Sequence, residues 1–153
     1  MTRSAPAPWS GPIYLDASAV VKLLLPESGS DDLNNALVGA DDVIISDLSI
    51  TEVTSALARR VRERTLAGTE ARRVHRDLMR VADRCLRAEL TPPVHRRAER
   101  LLLGASETPL RALDALHVAI AIDAAAATFV TYDRQLHRAA TAHGLVAAPV
   151  LSP

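Results

Sequence analysis

Four acidic residues stand out by where they fall: Asp16, Glu52, Asp114 and Asp133. Asp16 follows the apolar run "PIYL" and precedes "ASAVVKLLL". Glu52 sits near the start of "LSITEVTSALARRVRER", and Asp114 in the first turn of "LDALHVAIAIDAA". Asp133 comes two residues after "ATFVT". A charge placed where a buried strand meets a buried helix needs a reason, because an unpaired buried charge is costly. Two carboxylates ~4 Å apart repel by roughly 4 kcal/mol at an effective dielectric near 20. A converging set of four must therefore take up protons or a cation. Oxygen donors without cysteine favour Mg2+ or Mn2+ over zinc. Mg2+ keeps several of its waters, so such a centre can present water to a phosphodiester and stabilise the departing oxygen.

Each acid also has an ordinary structural explanation. Asp16 and Asp133 suit helix N-caps, Glu52 completes the capping box "SITE" with Ser49, and Asp114 complements a helix dipole. The choice turns on whether the chain brings the four together.

The elements that would do so follow from pattern and punctuation. A strand is expected over 12–16, then a helix over 18–25 that Pro26 stops. A helix over 30–40 and a β-branched strand over 42–46 follow. Leu48, Val53, Leu57 and Val61 share one side of a helix over 48–64. A long helix over 69–86 takes Thr69 as its cap, and 87–91 reads as a short strand. Thr91 and Pro92 open a helix to 103. A helix over 113–125, a strand over 127–131, a helix over 134–144 closed by Gly144, and a strand over 145–149 complete the chain. Strands that are near-continuous apolar runs, alternating with helices, predict a central parallel sheet of four to five strands. The fold class is a three-layer α/β/α sandwich. Ligands in such folds bind outside the carboxyl ends of the strands, which is where all four acids map.

Composition bounds the rest. The 153 residues suit one domain, expected over 12–153 behind a flexible tail over 1–11. The tail, "MTRSAPAPWSG", lacks the apolar stretch of a signal peptide. Apolar residues at 48% exclude intrinsic disorder, and aromatics at 3% leave the core to Leu, Val, Ile and Ala. Cys85 is the sole cysteine and reads as a small apolar filler, which excludes an internal disulfide and points to a reducing cytoplasm. The longest apolar stretch, "VAIAIDAAAATFV", is short for a membrane span and carries Asp123. Net charge is zero but uneven. From Arg59 to Arg100 there are thirteen arginines against six acids, an excess of +7 that the remainder offsets. That stretch is either a solvated helix face or a basic surface for a polyanion. With few aromatics to stack on bases, phosphate contacts would dominate.

The segments "YLDASAVVKLLLPE", "SDLSITEVTSALARR", "LRALDALHVAIA" and "FVTYDRQL" resemble, in order and spacing, the four signature segments of PIN-domain proteins. The nearest likeness is to the VapC ribonuclease toxins of bacterial toxin–antitoxin pairs. The resemblance implies a PIN fold and Mg2+-dependent endoribonuclease activity, with Mn2+ as a substitute. It makes Asp16, Glu52, Asp114 and Asp133 the catalytic and metal-binding quartet, with Asp16 and Asp114 foremost. Ser18 and Thr131 become the hydroxyls that orient water or a carboxylate. It further implies an RNA substrate, a homodimer, and a cognate antitoxin that binds in a heterotetramer or larger assembly and offers a basic residue to the acidic pocket.

Other readings stay open at this point. A catalytically inactive PIN-fold module could bind RNA or protein. A phosphoaspartate phosphatase would want an acid where Ser18 stands, and a receiver domain a late lysine where the chain has only Lys22. His117, three residues after Asp114, either supports a metal ligand from behind or is a packed histidine. Lys22 either reaches the pocket or snorkels to water. Apolar residues over 20–25 and 53–57 are expected to form part of a dimer or antitoxin surface.

Overall fold

The computed structural model describes residues 9–104 and 109–150. Residues 1–8 of the expected tail, residues 105–108 and residues 151–153 lie outside it. Five strands form one sheet in the order β3-β2-β1-β4-β5. They are β1 (Ile13–Leu15), β2 (Val43–Ser46), β3 (Leu86–Ala88), β4 (Thr128–Val130) and β5 (Ala147–Ala148). Every pairing is parallel; Leu15 of β1, for example, sits between Ile45 of β2 and Val130 of β4. Among the described residues, seven helices surround the sheet: α1 (Ala17–Leu24), α2 (Ser30–Leu37), α3 (Asp47–Arg62), α4 (Gly68–Ala82), α5 (Pro92–Gly104), α6 (Ala112–Asp123) and α7 (Arg134–Ala142).

Successive strand side chains point to opposite faces, and the core divides accordingly. Ile13 and Leu15 of β1, Ile45 of β2 and Val130 of β4 face one way. They pack with Val20 of α1, Leu33 of α2, Val53 and Leu57 of α3, and Val74 and Leu78 of α4. Tyr14, Ile44 and Phe129 face the other way, onto Val94 of α5, Val118 of α6 and Leu136 of α7. The central strands β1, β2 and β4 are thus buried on both faces, which is why they read as apolar runs.

Several local expectations change. The N-cap of α3 is Ser46, whose hydroxyl accepts from the Ser49 amide, so the helix starts before the expected "SITE" box. The Ser49 hydroxyl turns instead to the Leu15 carbonyl at 3.0 Å, which ties α3 to β1. Helix α4 begins at Gly68 with Ala67 at the cap position and no side-chain cap; Thr69 lies inside the helix. It ends at Ala82 because the chain must turn to enter β3 at Leu86. Trp9 packs against the cluster that contains Ile13, and the Ser10 carbonyl accepts from Thr128 at 2.7 Å, so the chain is anchored from Trp9 onward. Val20, Val53 and Leu57, expected on an assembly surface, are buried in the core, because α1, α3 and α4 cover one another. No helix among the described residues is long and apolar enough to cross a membrane.

Candidate functional site

Parallel strands end at one edge, and the helices that follow them start there. The ends of β1 and β4 deliver Asp16 and Asp133; the helix after β2 delivers Glu52, and the first turn of α6 delivers Asp114. All four line one cleft of about 880 Å3, together with Ser18.

Asp16 is buried and acts as the N-cap of α1, its Oδ1 accepting from the Ala19 amide at 2.9 Å. Its carboxylate also accepts from the Ser18 hydroxyl at 2.7 and 2.9 Å and from the Thr131 hydroxyl at 2.7 Å. Both hydroxyls work twice. Ser18 Oγ accepts from the Tyr132 amide at 2.8 Å, and Thr131 Oγ1 from the Asp133 amide at 3.0 Å. The two side chains therefore stitch the end of β1 to the end of β4 while holding the acid between them. Burial pushes the Asp16 carboxyl up from its ordinary range; the field of His117 and the Ala19, Thr131 and Ser18 hydrogen bonds offset this only in part. A buried acid in that condition favours a nearby cation.

Asp133 caps α7, accepting from the amides of Gln135 and Leu136 at 2.8 and 3.1 Å. Asp114 is buried, with Oδ2 accepting from Arg111 Nε at 3.0 Å. The same guanidinium reaches Asp133 Oδ2 at 3.4 Å. Arg111 is a residue that sequence reasoning passed over. Its signal was the three-residue spacing to Asp114 in "RALD", which puts both on one face of the first helical turn. Asp114 and Asp133 hold its charge in place, and no acid in the cleft is free of a donor.

Glu52 lies on α3 and faces the cleft, where its Oε2 meets His117 Nε2 at 2.5 Å. His117 is buried on α6, and its Nδ1 stands 2.7 Å from the Tyr14 hydroxyl. The two readings of His117 merge: it is packed in the core, and it touches an acid of the cleft. His137 lies away from the cleft, with Nε2 bonded to the Pro149 carbonyl at 3.0 Å.

Basic residues rim the acids. Lys22 bonds the Ser28 carbonyl at 2.6 Å, pairs with Glu27 and stands 4.7 Å above the Tyr132 ring, so it stays at the cleft rather than in open water. Arg60 pairs with Glu27 at 2.9 Å, and Arg59 lines the same wall. The position two residues past Asp16, which a phosphatase would give to a second acid, holds a hydroxyl committed to Asp16 itself.

The donor set can be tested against a metal. Among the described residues, no three Asp, Glu, His or Cys side chains form a group that could hold an ion as they stand. Between Asp114 and Asp133 the Arg111 guanidinium supplies the positive charge. Carboxylates backed by hydroxyls nevertheless suit a hard cation that takes one or two carboxylates and keeps its waters, and Arg111 is itself a stand-in for such a cation. The residues present fit a water-rich divalent ion and do not form a closed cage.

Comparison with known proteins identifies the family. The family model described as "PIN domain" matches residues 13–142. Ribonuclease VapC45 of Mycobacterium tuberculosis (strain CDC 1551 / Oshkosh) is 35% identical over 139 residues, covering 90% of this chain and 94% of that protein. Ribonuclease VapC46 of the H37Rv strain is 35% identical over 140 residues, covering 90% and 97%. Among solved structures, VapC20 of M. tuberculosis, a toxin that cleaves the sarcin-ricin loop, superposes with a TM-score of 0.68 at 17% identity, covering 88% of this chain and 96% of that one. FitAcB of Neisseria gonorrhoeae gives 0.66 at 20% identity, covering 88% and 95%. These two share the fold, and the sequence relatives carry the kinship: the chain belongs to the PIN-domain family, among the VapC proteins.

Proposed function

We propose that this chain is a divalent-metal-dependent endoribonuclease that serves as the toxin of a toxin–antitoxin pair. The observation that carries the reading is the meeting of Asp16, Glu52, Asp114 and Asp133, from four separate segments, in one cleft of a VapC-family chain. Asp16 and Asp114 would hold the cation, Mg2+ or Mn2+ in its place, with Glu52 and Asp133 completing the acidic wall. When bound, the ion supplies an activated water and stabilises the departing oxygen of an RNA phosphodiester. Ser18 and Thr131 keep the Asp16 carboxylate aimed into the cleft. Arg111 is more than half exposed, so its pairing with Asp114 and Asp133 is displaceable and its guanidinium could meet a phosphate. Lys22, Arg59 and Arg60 on the rim would take flanking phosphates, which position RNA without reading its sequence.

The partners implied are RNA, a second copy of the chain and a cognate antitoxin in the cytoplasm. A basic antitoxin residue would use the same two carboxylates that Arg111 uses now. The test is an RNA cleavage assay with a Mg2+ titration, followed by mapping of RNA ends in cells after brief induction. The parent cuts only with the divalent ion, and Asp16→Asn and Asp114→Asn do not cut. Variants that cut RNA as well as the parent would end the proposal.

A further inference from the structure

The cleft acids are held in two ways, and Glu52 is the odd one. Asp16 and Asp133 accept backbone amides as helix caps, and Asp114 is buried beside its own helix. Glu52 stands in the second turn of α3 on a longer, more flexible side chain, and no amide holds it among the described residues. Its one partner there is His117, which comes from α6 on the opposite side of the sheet.

Donor and acceptor bookkeeping orients that contact. An ionised carboxylate only accepts, so His117 Nε2 carries the proton and donates to Glu52 Oε2. On the other side of the ring, Nδ1 and the Tyr14 hydroxyl share a hydrogen bond at 2.7 Å. The Tyr14 hydroxyl also shares a hydrogen bond with the Ser46 hydroxyl at 2.9 Å. Ser46 Oγ accepts from the Ser49 amide, and the Ser49 hydroxyl donates to the Leu15 carbonyl. The line of hydrogen bonds thus ends on the backbone of β1, the strand that also delivers Asp16. Tyr14 and His117 are both fully enclosed, and the Tyr14 ring packs against Phe129 at 5.3 Å between centroids. Neither ring can turn without opening the core. Oε1 of Glu52 is left to the cleft.

We infer that His117 is a positioning residue, which with Tyr14 behind it fixes the Glu52 carboxylate in the cleft it shares with Asp16. The inference rests on the metal-dependent reading of the cleft, and it assigns His117 no contact with ion or RNA. It also accounts for a buried polar pair in an otherwise apolar layer. A carboxylate held by a rigid partner stays in register with the other ligands, whereas a free one does not.

A double-mutant cycle on Mn2+ binding by the full chain, read by calorimetry or electron paramagnetic resonance, tests it without knowledge of the RNA. Expected is a roughly 10- to 100-fold weaker affinity for His117→Ala and for Glu52→Gln, with no further loss when the two are combined. His117→Gln, which keeps a donor near the Nε2 position, recovers part of the affinity. Tyr14→Phe, which leaves the ring packing intact, gives a smaller loss of the same kind. In cleavage assays the same variants lower kcat and leave KM for RNA unchanged. Equal losses for His117→Ala in the parent and in Glu52→Gln would overturn the inference, as would a Tyr14→Phe protein that binds Mn2+ like the parent. Non-additive Mn2+ binding without RNA cleavage would keep the inference and sink the nuclease reading. A parent chain that binds no Mn2+ at all would sink both.

Discussion

The two halves of the cleft solve one electrostatic problem differently. On the Asp16 side, buried partners do the holding: an amide and two hydroxyls around the acid, and an imidazole behind Glu52. On the Asp114 and Asp133 side, a single exposed cation, Arg111, spans both carboxylates. The amide and hydroxyls fix the geometry of Asp16 without supplying a positive charge, so that half still favours a cation. A guanidinium compensates charge but can be displaced, because an exposed ion pair is weak and screened. Rigidity and displaceability are thus kept on opposite walls. Under the proposed metal-dependent reading, a site that orders an ion and admits a phosphate needs both.

The comparison breaks most visibly at Asp16. Asp16→Asn should lower metal-dependent RNA cleavage by more than ~100-fold, because it removes the most firmly held ligand. Asp133→Asn, which keeps a capping oxygen for α7, should cost less in the same assay. Equal losses would show that the walls are equivalent.

Next in size is Thr131→Val. It removes the donor to Asp16 and the acceptor for the Asp133 amide in a fully buried position. Cleavage should fall ~10- to 100-fold, and denaturant unfolding should show a loss of about 1–3 kcal/mol for the groups left unpaired.

The pH dependence is smaller and has a definite sign. The Asp16 carboxyl is raised in the folded chain above its ordinary value of 3.8, so between the two values the folded state binds more protons than the unfolded one. Stability therefore falls as pH rises through that window. In a chelating buffer the parent should lose stability relative to Asp16→Asn as pH climbs above 3.8, with the difference levelling off once the folded carboxyl is ionised. Thermal melts of the two proteins across pH read it; a difference that grows in the parent's favour would contradict the burial of Asp16. Mg2+ at neutral pH should restore much of the parent's deficit by binding the folded state alone.

The smallest effect belongs to Arg111. Arg111→Gln removes a competitor for the carboxylates, so Mn2+ affinity should rise about two- to fivefold, and the gain should shrink at high salt. Unchanged affinity would mean that Arg111 is a bystander.

Much of this was legible in the chain. Apolar runs ending in an acid, punctuated by Pro26 and Gly144, gave strand and helix positions to within a few residues, because periodicity and turn chemistry are local. The Ser49–Glu52 capping box was misread for a physical reason. A Ser-x-x-Glu spacing is only an offer, and Ser46 one turn earlier took the cap while the Leu15 carbonyl claimed the Ser49 hydroxyl. The apolar residues of α1 and α3 were expected to form part of a dimer or antitoxin surface; Val20, Val53 and Leu57 are taken up by the core, because sequence does not say that α4 lies against them. Arg111 was visible only as one more arginine. Its meaning depends on Asp133, twenty-two residues away in sequence and one helix N-terminus away in space.

By itself the sequence determined the order of elements, the buried central strands and the acids Asp16 and Asp133 just past strand ends, since each follows from residue type and short-range spacing. The tertiary structure alone decided which donors those acids have: hydroxyls for Asp16, a guanidinium for Asp114 and Asp133, and an imidazole for Glu52. Hydrogen bonds reach about 3 Å, and which groups come that close is settled by how layers stack and not by distance along the chain.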